Sequence, residues 1–228
     1  MRALQILSII LIIGFCSCKS INPYRLESYN LKGPVKDVFE KSILTFCDSI
    51  SGSELLLDSS TITFKNYFFS SDGKVLKWEY FDKDSLLLYY DDYIYSSESG
   101  KFLTMYRYEG DSKYSVIEDR KICNTLKTKT FDTQTKELIS VYKIHYRHGL
   151  PSKTKSRYVK KNIQKIYKWK RDSHENEIKV VITSSHLPPV EFSIFYLEFD
   201  THGNWTQRYL VDFETGDCFW VFRRINYY

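Results

Sequence analysis

The chain has 228 residues and a formal net charge of +5, and its 15 Phe, 19 Tyr and 4 Trp make 17% of it aromatic. That length suits one domain with a substantial core, and so many aromatic side chains favour strands, where flat rings fit a pleated surface. There are 5 cysteines and no Cys-x-x-Cys pair, which argues against a disulfide-built scaffold, a structural zinc site and a thioredoxin-like redox motif.

The N-terminus carries Arg2, then the apolar run from Ile6 to Phe15, then Cys16-Ser17-Cys18. A charged start before a short apolar run reads as a secretory leader over residues 1–17, because about 20 apolar residues are needed to cross a bilayer as a helix. Ser17-Cys18 resembles the lipobox of exported bacterial lipoproteins, although Phe15 stands where Leu is usual. The resemblance implies cleavage before Cys18, lipidation of its thiol, a membrane as partner through that anchor, and a cell-envelope location. It points to an outer-membrane lipoprotein on the periplasmic or the surface face. Residues 18–30 are expected to be the lipidated N-terminus and a tether, and residues 31–228 a single domain of β-hairpins.

From Leu31 onward the pattern is strand, turn, strand. Val35, Asp37, Phe39, Lys41 and Ile43 share the first strand's face. Turn signals follow at Asp72-Gly73, Ser99-Gly100, Thr135-Lys136, His148-Gly149, Glu175-Asn176, His202-Gly203 and Thr215-Gly216. Gly and Asn relieve the steric cost of positive φ at such places. Gly73 to Gly100, Gly149 to Asn176 and Asn176 to Gly203 are each 27 positions apart, which suggests a repeat of hairpins. Near the C-terminus, Val190, Phe192, Ile194 and Tyr196 alternate with Phe195, Leu197 and Phe199, so that strand is expected to be buried on both sides. The next alternates Trp205, Gln207, Tyr209, Val211 and Phe213 against Thr206, Arg208, Leu210 and Asp212, which predicts one wet face. The expected fold class is all-β, an antiparallel meander of hairpins forming an open, twisted or curved sheet.

The stretch Phe199-Asp200-Thr201-His202-Gly203-Asn204-Trp205-Thr206 resembles the aromatic-Asp-x-x-Gly-Asn core of YD repeats, as in Rhs-type proteins and small exported lipoproteins. Phe69 to Val75, Tyr95 to Phe102 and Trp169 to Asn176 are weaker copies. The resemblance implies a hairpin array whose turns rest on Asp72, Gly73, Gly100, Asp200, Gly203 and Asn204. It brings no catalytic residue and no cofactor.

The residues themselves add little that is reactive. His145 and His148 fall on opposite faces of a strand, while His174 and His202 occupy equivalent turn positions, so no metal site is expected. A Gly-x-Ser-x-Gly elbow and phosphate-cradling loops are absent. Asp91-Asp92 and Glu118-Asp119 are expected to be solvated. Cys47, Cys123 and Cys218 allow at most one disulfide, whose pairing stays open.

Charge is the most distinctive feature. Residues 138–171 hold eleven Lys or Arg and no Asp or Glu, whereas Glu27 to Asp119 has 17 acidic against 10 basic residues. Lys153, Lys155, Arg157, Lys160, Lys161, Lys165, Lys168, Lys170 and Arg171 are the candidate anion-binding residues, with Tyr158, Tyr167 and Trp169 nearby. The functional expectation is a non-enzymatic envelope lipoprotein whose sheet binds a glycan, a protein or an anionic lipid; nucleic acid is disfavoured. The alternative is a lipid or lipoprotein carrier with a concave aromatic sheet.

Overall fold

The computed structural model describes residues 24–46, 62–122 and 124–228. The leader, Cys18, Cys47 and Cys123 lie outside the described residues. A short 3-10 turn, Leu26–Tyr29, precedes strands β1 (Val35–Phe46), β2 (Ile62–Phe69), β3 (Val75–Phe81), β4 (Leu87–Tyr95) and β5 (Phe102–Glu109). They continue as β6 (Ser112–Ile122), β7 (Thr125–Asp132), β8 (Leu138–Arg147), β9 (Leu150–Tyr158) and β10 (Ile163–Arg171). The last are β11 (Glu177–Ser184), β12 (Val190–Phe199), β13 (Trp205–Val211) and β14 (Asp217–Tyr227).

Each strand pairs antiparallel with its chain neighbours, and β1 also pairs with β14 from Val35↔Tyr227 to Phe46↔Asp217. The sheet is therefore a closed barrel, and the expected open sheet is overturned. Closure has a physical motive: an open sheet would leave rows of unpaired N–H and C=O groups on β1 and β14, and joining them removes both edges.

The turns follow the sequence closely. Positive φ is found at Gly73, Gly100, Lys136, His148, Gly149, Glu175, Gly203 and Gly216, one or two in each expected turn. In three loops one aspartate does the same work: Oδ1 of Asp82, Asp172 and Asp200 accepts the backbone N–H two and four residues later. The recurrence read as a YD repeat is thus a recurrence of turn chemistry. The closed barrel overturns the Rhs-like array as a description of the fold.

Residues opposite each other across strands share a face. Glu40 lies opposite Lys65 and Arg223, Trp78 opposite Asp91, Asp91 opposite Arg107, and Tyr196 opposite Arg208. Glu40 is 5% and Asp91 1% exposed, so this face is the interior. On β13 the face with Arg208 is the inner one. One expectation is reversed as a result. Phe195, Leu197 and Phe199 are 40–48% exposed, so β12 is not buried on both sides.

Where it is described, the segment before β1 is seated on the barrel. Leu26 N–H donates to Gly73 O, Val75 N–H donates to Tyr24 O, and Tyr24 stacks on Phe102 at 3.7 Å. Leu26 and Leu31 join Val35, Val38, Phe69 and Val75 in one buried apolar cluster. Tyr29 packs edge-on against Tyr67 and Phe69, each at 5.8 Å. This cluster positions the segment beside the charged interior described next.

Candidate functional site

The inner wall carries two charged clusters. In the first, Glu40 accepts from Lys65 Nζ at 3.1 Å and from Arg223 Nε at 2.9 Å. Glu177 accepts from Arg171 at 3.0 Å and from Arg208 at 3.3 Å. Both guanidinium groups of Arg208 and Arg223 lie over the Trp205 ring, 4.1 and 3.5 Å from its centroid. Burial disfavours a charged Glu40, yet Lys65, Arg223 and Arg208 hold its carboxyl down at about 2. Burial and the neighbouring Arg208 together pull Arg223 below its ordinary value, against the pull of Glu40. Tyr67 is pushed well above the usual phenol range by burial, with Glu40 adding to it.

In the second cluster Arg107 holds Asp91 with two parallel hydrogen bonds of 2.7 and 2.8 Å, and its guanidinium sits 4.8 Å from the Tyr89 ring centroid. The expectation that Asp91 is solvated is overturned: a carboxylate alternates faces with its neighbour, and here the inward one met an arginine. Asp92 takes the outer face opposite Lys77 and Tyr106.

Two cavities adjoin the first cluster. One of about 260 Å³ is lined by Tyr29, Trp169, Arg171, Tyr196, Arg208 and Arg223 among others. The second, about 410 Å³, lies at the β8–β9 and β10–β11 turns between Arg147, His148, Ser152 and Glu175. They share Leu150, Trp169 and Arg171 as walls. His148 Nδ1 stands 3.3 Å from Glu175 at that end of the barrel. Among the described residues no three His, Cys, Asp or Glu side chains form a metal site.

No protein-family model matches this chain, and no curated protein does. Among solved structures, it is similar to a porin-like protein from Bacteroides vulgatus, at 10% identity and a TM-score of 0.48, over 84% of this chain and 98% of that one. A porin-like protein from Bacteroides uniformis has 10% identity and a TM-score of 0.41, over 86% and 99%. A LolA superfamily protein from Nitrosomonas europaea has 7% identity and a TM-score of 0.28, over 92% and 94%. Similarity at this level names no function for the chain, which its own side chains must supply.

The expected basic strip is divided by the barrel wall. Lys153, Lys155, Arg157, Lys168 and Lys170 share the outer face, where Lys153 is opposite Lys168 and Lys155 opposite Lys143. Lys165 lies opposite the buried Ser156 on the inner face, and Arg171 is held inside by Glu177. Lys160 and Lys161 sit in the β9–β10 turn, with Lys160 paired to Glu137 at 2.5 Å. The turn residues Asp72, Gly73, Gly100, Asp200, Gly203 and Asn204 all lie at hairpin ends, and Asn204 is 2% exposed.

Closure also overturns both functional expectations drawn from an open sheet. A hairpin array has two faces to offer a glycan, a protein or an anionic lipid, whereas here one face is the barrel's interior. A concave carrier of acyl chains needs an apolar hollow, whereas this interior is lined by Glu40, Glu177, Arg171, Arg208 and Arg223. Sequence reading passed over Glu40, Glu177 and Arg223. The available signal was an arginine on each of two consecutive aromatic-rich strands, Arg208 and Arg223, at alternating positions with large apolar residues.

Proposed function

We propose that this protein is a non-enzymatic solute-transfer barrel of the cell envelope, taking a small polar solute into its lumen and held at a membrane by lipid on Cys18. The observation that carries the reading is the charged, aromatic inner wall beside two adjoining cavities. Burying four cations and two carboxylates there costs several kcal/mol per ion unless each is paired. A wall built only for stability would use apolar side chains instead.

The outer wall bears on how the barrel meets a membrane. No helix among the described residues is long and apolar enough to cross one, and for a barrel the strands' outer face decides. In a bilayer-spanning barrel that face is an apolar band, and a lysine at the midplane costs about 2–4 kcal/mol. Here Lys127, Lys143 and Lys155 stand side by side in the middle of β7, β8 and β9, and Lys41 and Lys77 occupy β1 and β3. These lysines argue against a continuous apolar band around the barrel and favour attachment through the N-terminus.

Two measurements test this. Thr154 lines the inner cavity and Lys153 points outward, so a cysteine at each reports on opposite sides of the wall. In Thr154→Cys, small methanethiosulfonate reagents should add to the new thiol and a bulky maleimide should not, whereas Lys153→Cys should take both. Peptide-resolved mass spectrometry separates these sites from the native cysteines. An unreactive Thr154→Cys would sink the lumen reading. Acylation of Cys18 in the membrane fraction supports the anchor, and a Cys18→Ser chain that is still processed and membrane-held overturns it.

A further inference from the structure

We infer that the chamber beside Trp205 is a site for a small organic anion, a carboxylate or phosphoryl group carried on a flat unsaturated ring. The inference rests on the solute-transfer reading and names its solute class.

Charge gives the first argument. Lys65, Arg171, Arg208 and Arg223 face Glu40 and Glu177, and each carboxylate is shared by two cations. Among the described side chains of this cluster the positive charges outnumber the negative by two. Repulsion between Arg208 and Arg223, both stacked on Trp205, is a standing cost that an added anion relieves.

Donors give the second. Arg171 Nε, Arg208 Nε and Arg223 Nη1 are buried and make no hydrogen bond among the described residues. All three arginines line the 260 Å³ cavity. Buried donors are nearly always paired, and guanidinium forks match the two oxygens of a carboxylate or phosphoryl group. A neutral solute would answer the donors but not the charge, and a cation would answer neither.

Shape gives the third. Trp169, Tyr196 and Trp205 supply flat walls to the same cavity, and rings pack on such walls by offset stacking. The volume is below the usual range of drug-sized pockets, roughly 300–1,000 Å³, which restricts the ligand to about one ring. A long acyl chain does not fit these walls.

The test uses the full chain with benzoate and phenyl phosphate as probes, benzyl alcohol and benzylamine as neutral and cationic controls, and calorimetry as the readout. Benzoate or phenyl phosphate should bind saturably and the two controls should not; which of the two binds more tightly tells carboxylate from phosphoryl. Arg208→Lys, which keeps the charge but loses the fork, should weaken binding at least about tenfold. Lys153→Glu with Lys155→Glu, on the outer wall, should leave it unchanged. Magnetisation transfer from the benzoate ring to the Trp169 and Trp205 indoles locates the site in the unmodified chain, so a poorly folding Arg208→Lys does not block the test. The inference is overturned if the controls bind as well as the anions, if the outer variant abolishes binding, or if the transfer reaches neither indole. If neither anion binds while Thr154→Cys still reacts with small reagents, the anion site is wrong and the lumen reading stands.

Discussion

Asn204 and Lys32, 172 positions apart, exchange two hydrogen bonds: Lys32 N–H donates to Asn204 Oδ1 at 2.7 Å, and Asn204 Nδ2 donates to Lys32 O at 2.9 Å. The same Nδ2 donates to the Tyr227 hydroxyl at 2.8 Å, and that hydroxyl donates to Asp200. One buried amide thus ties the β12–β13 turn to the chain entering β1 and to the end of β14, across the seam that closes the barrel. Asn204→Ala removes both hydrogen bonds to the Lys32 backbone, which together contribute about 1–3 kcal/mol. Thermal melting should show a loss in that range, and an unchanged Tm would mean the seam does not depend on Asn204.

Glu40 should make the barrel acid-sensitive. Its carboxyl sits at about 2 in the folded chain and near 4.3 when unfolded. A depressed folded value means the stabilisation is complete above the unfolded value and drains as pH falls from about 5 toward 2, amounting to about 3 kcal/mol. Denaturant midpoints measured across that window should fall steeply for the native chain. Glu40→Gln leaves Lys65 and Arg223 facing each other without their carboxylate, so it should be less stable at pH 7 and flatter with pH.

On the outer wall, Lys143 stands between Lys127 and Lys155 in one cross-strand row. Like charges directly opposite each other destabilise a sheet, and opposite charges contribute roughly 0.2–1 kcal/mol. Lys143→Glu should therefore raise the melting temperature at low salt, and the gain should shrink as salt screens the row. A drop in stability at low salt would contradict this account of the row.

Two glycines at the seam hold left-handed conformations that resist substitution. Gly33 has a φ of 81°, and a Cβ there would lie 2.8 Å from the His202 ring. Gly203 has a φ of 76° in the turn that carries Asn204. Gly33→Ala meets both strain and a clash, and Gly203→Val puts a branched side chain in a left-handed conformation. Each should cost well over the roughly 1 kcal/mol of a typical substitution, as read from thermal melts. If Gly203→Val melts like the native chain, the turn geometry is not what holds that hairpin.

What was legible in the sequence was local. Strand alternation and the Asp, Gly and Asn signals placed the turns, because turn geometry is set within four or five residues by which side chain caps which N–H and where positive φ is tolerated. Those signals repeat, so they invited the likeness to a hairpin array. Whether the array closes depends on Val35–Phe46 meeting Asp217–Tyr227 at the far end of the chain, and no local pattern encodes that pairing. The polarity of the faces was likewise decided only on closure. Arg208 and Asp91 alternate with apolar neighbours as surface residues do, and are interior ones paired with Glu177, two strands away, and with Arg107, directly opposite on the next strand. The basic segment was plain in the composition. The barrel wall divided it, sending Lys153, Lys155 and Arg157 to water and Arg171 to the lumen, because successive side chains of a strand point to opposite faces and Arg171 falls in phase with the inward Lys165 and Trp169.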